Sequence, residues 1–247
     1  MTPLDRLCPV PFHEAGDAAR AAILRQLADT LLYAALTAEA EGDRAELLRL
    51  DGPDGPLALA CDGDDRLSGF FGQATPYAAM PGRVLARMLA EAGVALLVNP
   101  GAPSEMLIGA ATLDWLARAL ADHPDAAQGA ARLMPPEKDV ADMLLPALGA
   151  RLADMAGLAR AAVLTRAQWS DGREGHLLLI EGAEPQIEPL IAKAIGELAA
   201  FLPPIQGGLD VSFAALTPPD GAPRIVIEAP PAPPPKPKRE KGPPILR

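Results

Sequence analysis

A chain of 247 residues that is 49% apolar and only 4% aromatic can form one large domain or two of ordinary size, with cores of Ala, Leu, Val and Ile. Its net charge of −10 is uneven, because residues 229–247 carry a net of +4 and leave −14 on the remainder. So acidic a body repels phosphate backbones and excludes nucleic acid as the expected partner.

The N-terminus, "MTPLDRLCPVPFHEAGD", has no charged start followed by an apolar run, and no apolar run elsewhere approaches the ~20 residues of a membrane helix. Two cysteines, Cys8 and Cys61, make neither a disulfide framework nor a zinc spacing. The expectation is a cytoplasmic protein without membrane contact.

Along the chain, Ala19, Ala22, Ile23 and Leu27 have the spacing of a helix with one buried face. "TLLYAALTAEA" either extends that helix or forms the first strand. "AELLRL" and "PLALACD", joined by a Gly/Pro/Asp turn, read as a hairpin with Leu57, Leu59 and Cys61 on one face. "MPGRVLARMLAEAG" is a helix with Pro81 near its first position and Gly93 past its end. "VALLV" and "MLI" read as strands, and "TLDWLARALAD" as a helix capped by Thr112 with Pro124 beyond it.

"DHPDAAQGAARLMPPEKD" has little periodicity and many breakers, which makes it the expected domain boundary. Val140, Leu144, Leu148, Leu152 and Met155 then repeat at helical spacing, with Pro146 expected to kink or divide the element. "AAVLTRAQW" and "EGHLLLI" form a hairpin whose Asp171-Gly172 pair suits a two-residue turn. Ile187, Leu190, Ile191, Ala194, Ile195 and Leu198 mark an amphipathic helix, followed by strands at "LDVSFAAL" and "RIVIE". Both halves thus run helix, hairpin, helix, strand, without any residue-level repeat. The expected fold is α+β: a mixed helix/sheet domain over 1–122, a second over 137–228, and a disordered Pro-rich basic tail over 229–247.

The stretch "VNPGAPSEMLIG" looks most like a functional motif. Turn chemistry accounts for Asn99, Pro100 and Gly101: Pro100 fixes φ at i+1, and Gly101 supplies the positive φ of a type II turn at i+2. Asn99 at position i can bond its own backbone two residues on. Asn99, Ser104 and Glu105 are nonetheless the candidate ligand residues: the amide and hydroxyl could hold a carboxylate and Glu105 an ammonium, a set that suits an amino acid.

Three segments in this order, "LDGPDGPLALACDGDDRLSGFFG", "PYAAMPGRVLARMLAEAGVALLVNPGAPSEMLI" and "LDWLA", resemble the N-terminal domain of the SseB family, named for enhanced serine sensitivity, across about residues 20–120. "AAVLTRAQWSDGREGHLLLIEG" through "LDVSFAAL" is similar to that family's C-terminal domain. The resemblance implies a bacterial cytoplasmic protein of α+β build whose family name records a serine-linked phenotype; it brings no catalytic residues with it.

Other chemistry is sparse. Cys61 alternates with Leu57 and Leu59, which points it into the core rather than towards an activating base. With a two-residue turn, His176 would oppose Ala167 and Glu174 would oppose Trp169, making Glu174 and His176 a candidate acid–base pair; a half-buried histidine packed on an aromatic is the competing reading. No metal spacing and no phosphate-binding glycine loop occurs, so neither a metal nor a cofactor is expected. Pro234-x-x-Pro237-x-Arg239 in the tail fits a proline-groove ligand, but composition alone generates such matches and a linker or solvated terminus is the leading reading. The expected role is a non-enzymatic module that binds a protein partner or its own copy, with an amino-acid sensor and an enzyme centred on His176 as the alternatives.

Overall fold

The computed structural model describes residues 1–39, 42, 45–52, 55–121 and 129–227. The tail over 229–247, His123, Pro124 and Pro53 and Asp54 of the "DGPDG" turn lie outside these residues. Two sheets organise the chain, each mixed and each with its own helices, as an α+β fold.

The first sheet runs β4 (Tyr77–Pro81), β1 (Leu31–Ala35), β3 (Gly55–Cys61), β5 (Ala95–Val98), β6 (Met106–Ile108), with β2 (Arg49–Gly52) also paired to β3. β3 and β5 are parallel, in register from Leu57 opposite Ala95 to Ala60 opposite Val98; the other pairs are antiparallel. "TLLYAALTAEA" therefore supplies a strand. Strand alternation sorts this sheet into two unlike faces.

Leu32, Ala34, Ala58, Ala60, Leu96, Val98, Met106 and Ile108 form the inner face, under α1 (Pro3–Leu7), α2 (Asp17–Asp29), α4 (Gly82–Ala92) and α5 (Ala110–Ala121). The apolar stripe of α4 places Leu85 and Leu89 on them. A fully buried leucine of this kind stabilises the fold by about 1.5–3 kcal/mol. The outer face carries Tyr33, Ala35, Leu59, Cys61 and Leu97 and meets only α3 (Asp64–Phe71) among the described helices, through Leu67 and Phe71.

The second sheet runs β10 (Leu209–Ser212), β9 (Glu174–Glu181), β8 (Ala161–Trp169), β11 (Arg224–Val226), with β7 (Ala131–Met134) also on β8. α6 (Lys138–Ala153) and α7 (Glu188–Ala200) cover one face, where Leu144, Leu148, Leu152, Ile191 and Ile195 pack on Leu164, Leu178 and Ile180.

Several elements depart from the sequence reading. α1, α3, β4 and β7 are too short to show a period, and β7 lies inside the stretch read as unpatterned. Pro81 precedes α4 as its N-cap rather than starting it. Thr112 lies within α5, which begins at Ala110, and its N–H bonds to Gly109. Pro146 does not divide α6: its missing N–H costs one hydrogen bond, while Leu144 and Leu148 on either side remain fully buried.

The 161–181 hairpin closes with a three-residue loop. The Trp169 N–H bonds the Arg173 carbonyl, and Gly172 takes φ +86°, the left-handed position of a type I turn followed by a bulge. The register is therefore Arg166 opposite His176 and Gln168 opposite Glu174, one residue from that of a two-residue turn.

The two sheet units meet through α7. Phe201, at its C-cap, is buried in the first core and sets its ring edge-on to Trp115, with centroids 5.4 Å apart. Glu197, only 7% exposed, accepts Arg83 of α4 at 3.0 Å and lies 3.7 Å from both Arg151 and Lys193. Arg83 also pairs with Asp29. One buried carboxylate is thus shared by cations from both units.

Candidate functional site

The most developed polar cluster lies just beyond the carboxyl ends of the parallel strands β3 and β5. Asn99 follows β5 and has φ +47°, the one left-handed non-glycine among the described residues; asparagine tolerates that region better than most residues. Its N–H continues the sheet to the Ala60 carbonyl, and its own carbonyl accepts the Ala102 N–H across Pro100 and Gly101. Gly101 has φ +79°, as the type II turn requires. Glu105 closes the same turn by accepting the Gly101 N–H at 2.6 Å.

The Asn99 side chain does not fold back on its own loop. Its Oδ1 accepts the Asp62 N–H at 2.9 Å, and its Nδ2 donates to Ser104 Oγ at 2.9 Å. Ser104 in turn donates to Asp5 Oδ1 at 2.6 Å and accepts Arg66 Nη1 at 3.4 Å. One proton and two lone pairs are all a serine hydroxyl has, and all are used.

Arg66 grips Asp5 with both terminal nitrogens, at 3.1 and 2.5 Å, the bidentate arrangement that suits a carboxylate. The same Nη1 lies 3.2 Å from Asp62 Oδ1. Thr2 completes the set: its N–H donates to Asp5 Oδ2 and its hydroxyl accepts the Asp5 N–H, a capping box on α1.

Asn99 and Ser104 are fully buried, and the side chains of Asp5 and Asp62 are 2% and 3% exposed. Arg66 holds the Asp5 carboxyl far below the usual carboxylate range, against the upward push of burial and with help from Ser104 and Thr2. Neighbouring Cys61 is pushed up to about 11, mainly by burial, so its thiol is protonated and no nucleophile at neutral pH. Asn99 and Ser104 spend their hydrogen bonds inside the molecule, and Glu105 serves its own turn.

The second candidate pair is not a couple. Glu174 accepts Arg166 at 2.6 Å and Gln168 at 2.9 Å. His176 is 6% exposed and opposes Arg166 rather than Ala167, because the longer turn shifts the register by one. Its Nδ1 has no hydrogen-bond partner, and its backbone N–H bonds Gly208. An acid–base role needs both groups lining an open pocket; here one is buried and the other is held by an arginine.

Burial lowers the His176 pKa from its ordinary 6.5. On acidification the unfolded chain takes up that proton first, so stability is full above 6.5 and falls away below it. Chemical denaturation of His176→Leu between pH 7.5 and 5 should give a flatter stability–pH curve than the parent; an unchanged slope would contradict this burial.

Two open grooves occur elsewhere. One of about 460 Å³ lies beside Trp169 and Arg132, and one of about 230 Å³ lies between β2 and α4. Neither is lined by a candidate residue. No group of three or more His, Cys, Asp or Glu among the described residues is placed to hold a metal ion, and no described helix is long and apolar enough to cross a membrane.

Asp5 and Arg66 were not singled out in the sequence, and Asp62 reads there only as one of the turn acids of "DGDD". Two local signals were present, the Thr2-x-x-Asp5 capping pattern and the i, i+4 spacing of Asp62 and Arg66.

Residues 11–115 match the family model of the SseB protein N-terminal domain. The match takes in Asp62, Arg66, Asn99 and Ser104 and starts after Asp5. No curated protein and no solved structure matches the chain.

Proposed function

We propose that this chain, a member of the SseB family by its N-terminal domain, is a non-enzymatic bacterial cytoplasmic module that binds another protein through the outer face of its first sheet. The observation that carries this reading is an apolar sheet face with, among the described residues, a single short helix on it. β3 is apolar and buried on both sides from Leu57 to Cys61, the pattern of a strand covered on both faces. Here the inner face lies under four helices and the outer face under the eight residues of α3.

Large apolar side chains are left exposed around α3. On the strands, Leu31, Tyr77 and Leu107 are 47%, 43% and 44% exposed, and on the helix Phe70 is 46% exposed. Register places all three strand residues on the outer side: Leu107 opposes Leu97, and Tyr77 opposes Ala35. They flank α3 from the two edges of the sheet, Leu31 and Tyr77 on the β1 and β4 side and Leu107 on β6; exposed apolar residues that share one face favour association.

The double variant Tyr77→Glu, Leu107→Glu tests it. Tyr77 gives up its edge-on contact with Tyr33, so the melting temperature should fall by several degrees while a single cooperative melt is retained. A partner cross-linked to the parent protein in cells should disappear from the variant. Undiminished capture by a folded variant would refute the outer face as the binding surface.

A further inference from the structure

We propose that Arg66, Ser104 and Asp62 form a subsite for a small amino-carboxylate, and that Asp5 closes it as an intramolecular ligand. The proposal concerns the buried cluster and not the open sheet face, so it stands or falls apart from the protein-binding reading.

A guanidinium fork and a hydroxyl donor on one carboxylate are the groups that proteins use to hold a carboxylate ligand. Here the carboxylate comes from the chain itself, from a helix of five residues. The receiving groups belong to other elements, Arg66 to α3 and Ser104 to the loop after β5, while Asp5 meets them across 61 and 99 residues of sequence. They sit just beyond the carboxyl ends of the neighbouring parallel strands β3 and β5.

Asp62 supplies the second pole. Its side chain is 3% exposed, and neither oxygen accepts a hydrogen bond, although Arg66 lies 3.2 Å from Oδ1. Buried carboxylate oxygens are ordinarily hydrogen-bonded. An ammonium group carried on the carbon beside a bound carboxylate would satisfy these two. Arg66 and Asp62 together carry no net charge, as does a zwitterionic amino acid, and each meets the opposite pole of that ligand.

Closure is held by more than Asp5. Leu4 is fully buried and Cys8, the C-cap of α1, is 5% exposed. A ligand that takes Arg66 and Ser104 removes the Asp5 bonds and weakens the docking of α1, which makes Cys8 the natural reporter. Cys61, 1% exposed in a different cluster, reports global opening in the same sample.

The experiment labels the intact chain with a thiol reagent and follows the Cys8 and Cys61 peptides separately by mass. Glycine at about 10 mM should speed Cys8 labelling several-fold and leave Cys61 unchanged, acetate should act more weakly, and sodium chloride and methylamine should have no effect. Asp5→Ala should speed Cys8 labelling about tenfold or more without any ligand. Ser104→Ala and Arg66→Lys should each weaken the response to glycine. Glycine no more effective than chloride, acetate equal to glycine, or Cys8 and Cys61 rising together would each overturn the proposal.

Discussion

Arg66→Met is expected to destabilise the fold by about 3–5 kcal/mol at pH 7, the range for removing one partner from a buried ion pair. The guanidinium is the cation for two carboxylates, Asp5 at 2.5 Å and Asp62 at 3.2 Å, whose side chains are 2% and 3% exposed. Methionine replaces the bulk of the side chain and leaves both acids buried without it. For a chain of this length that loss lowers the melting temperature by roughly 10 °C.

The pH dependence has a definite sign. Arg66 depresses the Asp5 pKa in the folded state, so the stabilisation is complete above the unfolded carboxylate value and is lost as pH falls towards the folded one. In the variant the Asp5 carboxyl loses the guanidinium that holds its pKa down and is left to the upward push of burial, so it takes up a proton more readily. The gap between parent and variant should therefore shrink as pH drops from 7 to 4. Thermal melts at both pH values check this, and a gap that is constant or widens in acid would contradict the burial of the two acids.

Glu197→Ala should have the next largest effect, about 3 kcal/mol, together with a change in how the chain unfolds. Glu197 is met by Arg83 from the first unit and by Arg151 and Lys193 from the second. Without it, Arg83 and Arg151 keep Asp29 and Lys193 keeps the Leu120 carbonyl, while all three cations lose the one buried anion they share. Those exposed-side contacts and the Phe201 ring on Trp115 are then what holds the interface.

The chain has two tryptophans, Trp115 in α5 and Trp169 at the end of β8. Single-tryptophan versions should unfold at one denaturant concentration in the parent and at two in the variant. Coincident transitions after the substitution would show that Glu197 does not couple the units.

The legible parts of this fold are those in which a period runs long enough to be counted. Ile187 to Leu198 reads as a helix and becomes α7, whose buried residues include Ile191, Ala194, Ile195 and Leu198. The alternation and turn residues of 161–181 read as a hairpin, although Ser170 enters the loop and moves the register by one. α1 with five residues and β7 with four offer too few positions for any period to emerge.

The candidate site shows the same divide. Asn99 and Gly101 are visible because turn geometry is local. The partners of Asn99 and Ser104 are not, since Asp62, Arg66 and Asp5 lie 37, 38 and 99 residues away along the chain. Only the crossover that sets β3 beside β5 makes them neighbours. Glu174 was drawn to His176 by an assumed register, and one extra loop residue hands it to Arg166 and Gln168 instead.

The most direct measurement of the central claim is hydrogen exchange on the full chain, alone and bound to its cross-linked partner. Slowed exchange should centre on β4, β6 and α3, while the 161–181 hairpin exchanges as before. Protection centred on that hairpin, with the first sheet unchanged, would contradict the outer face as the surface through which this protein works.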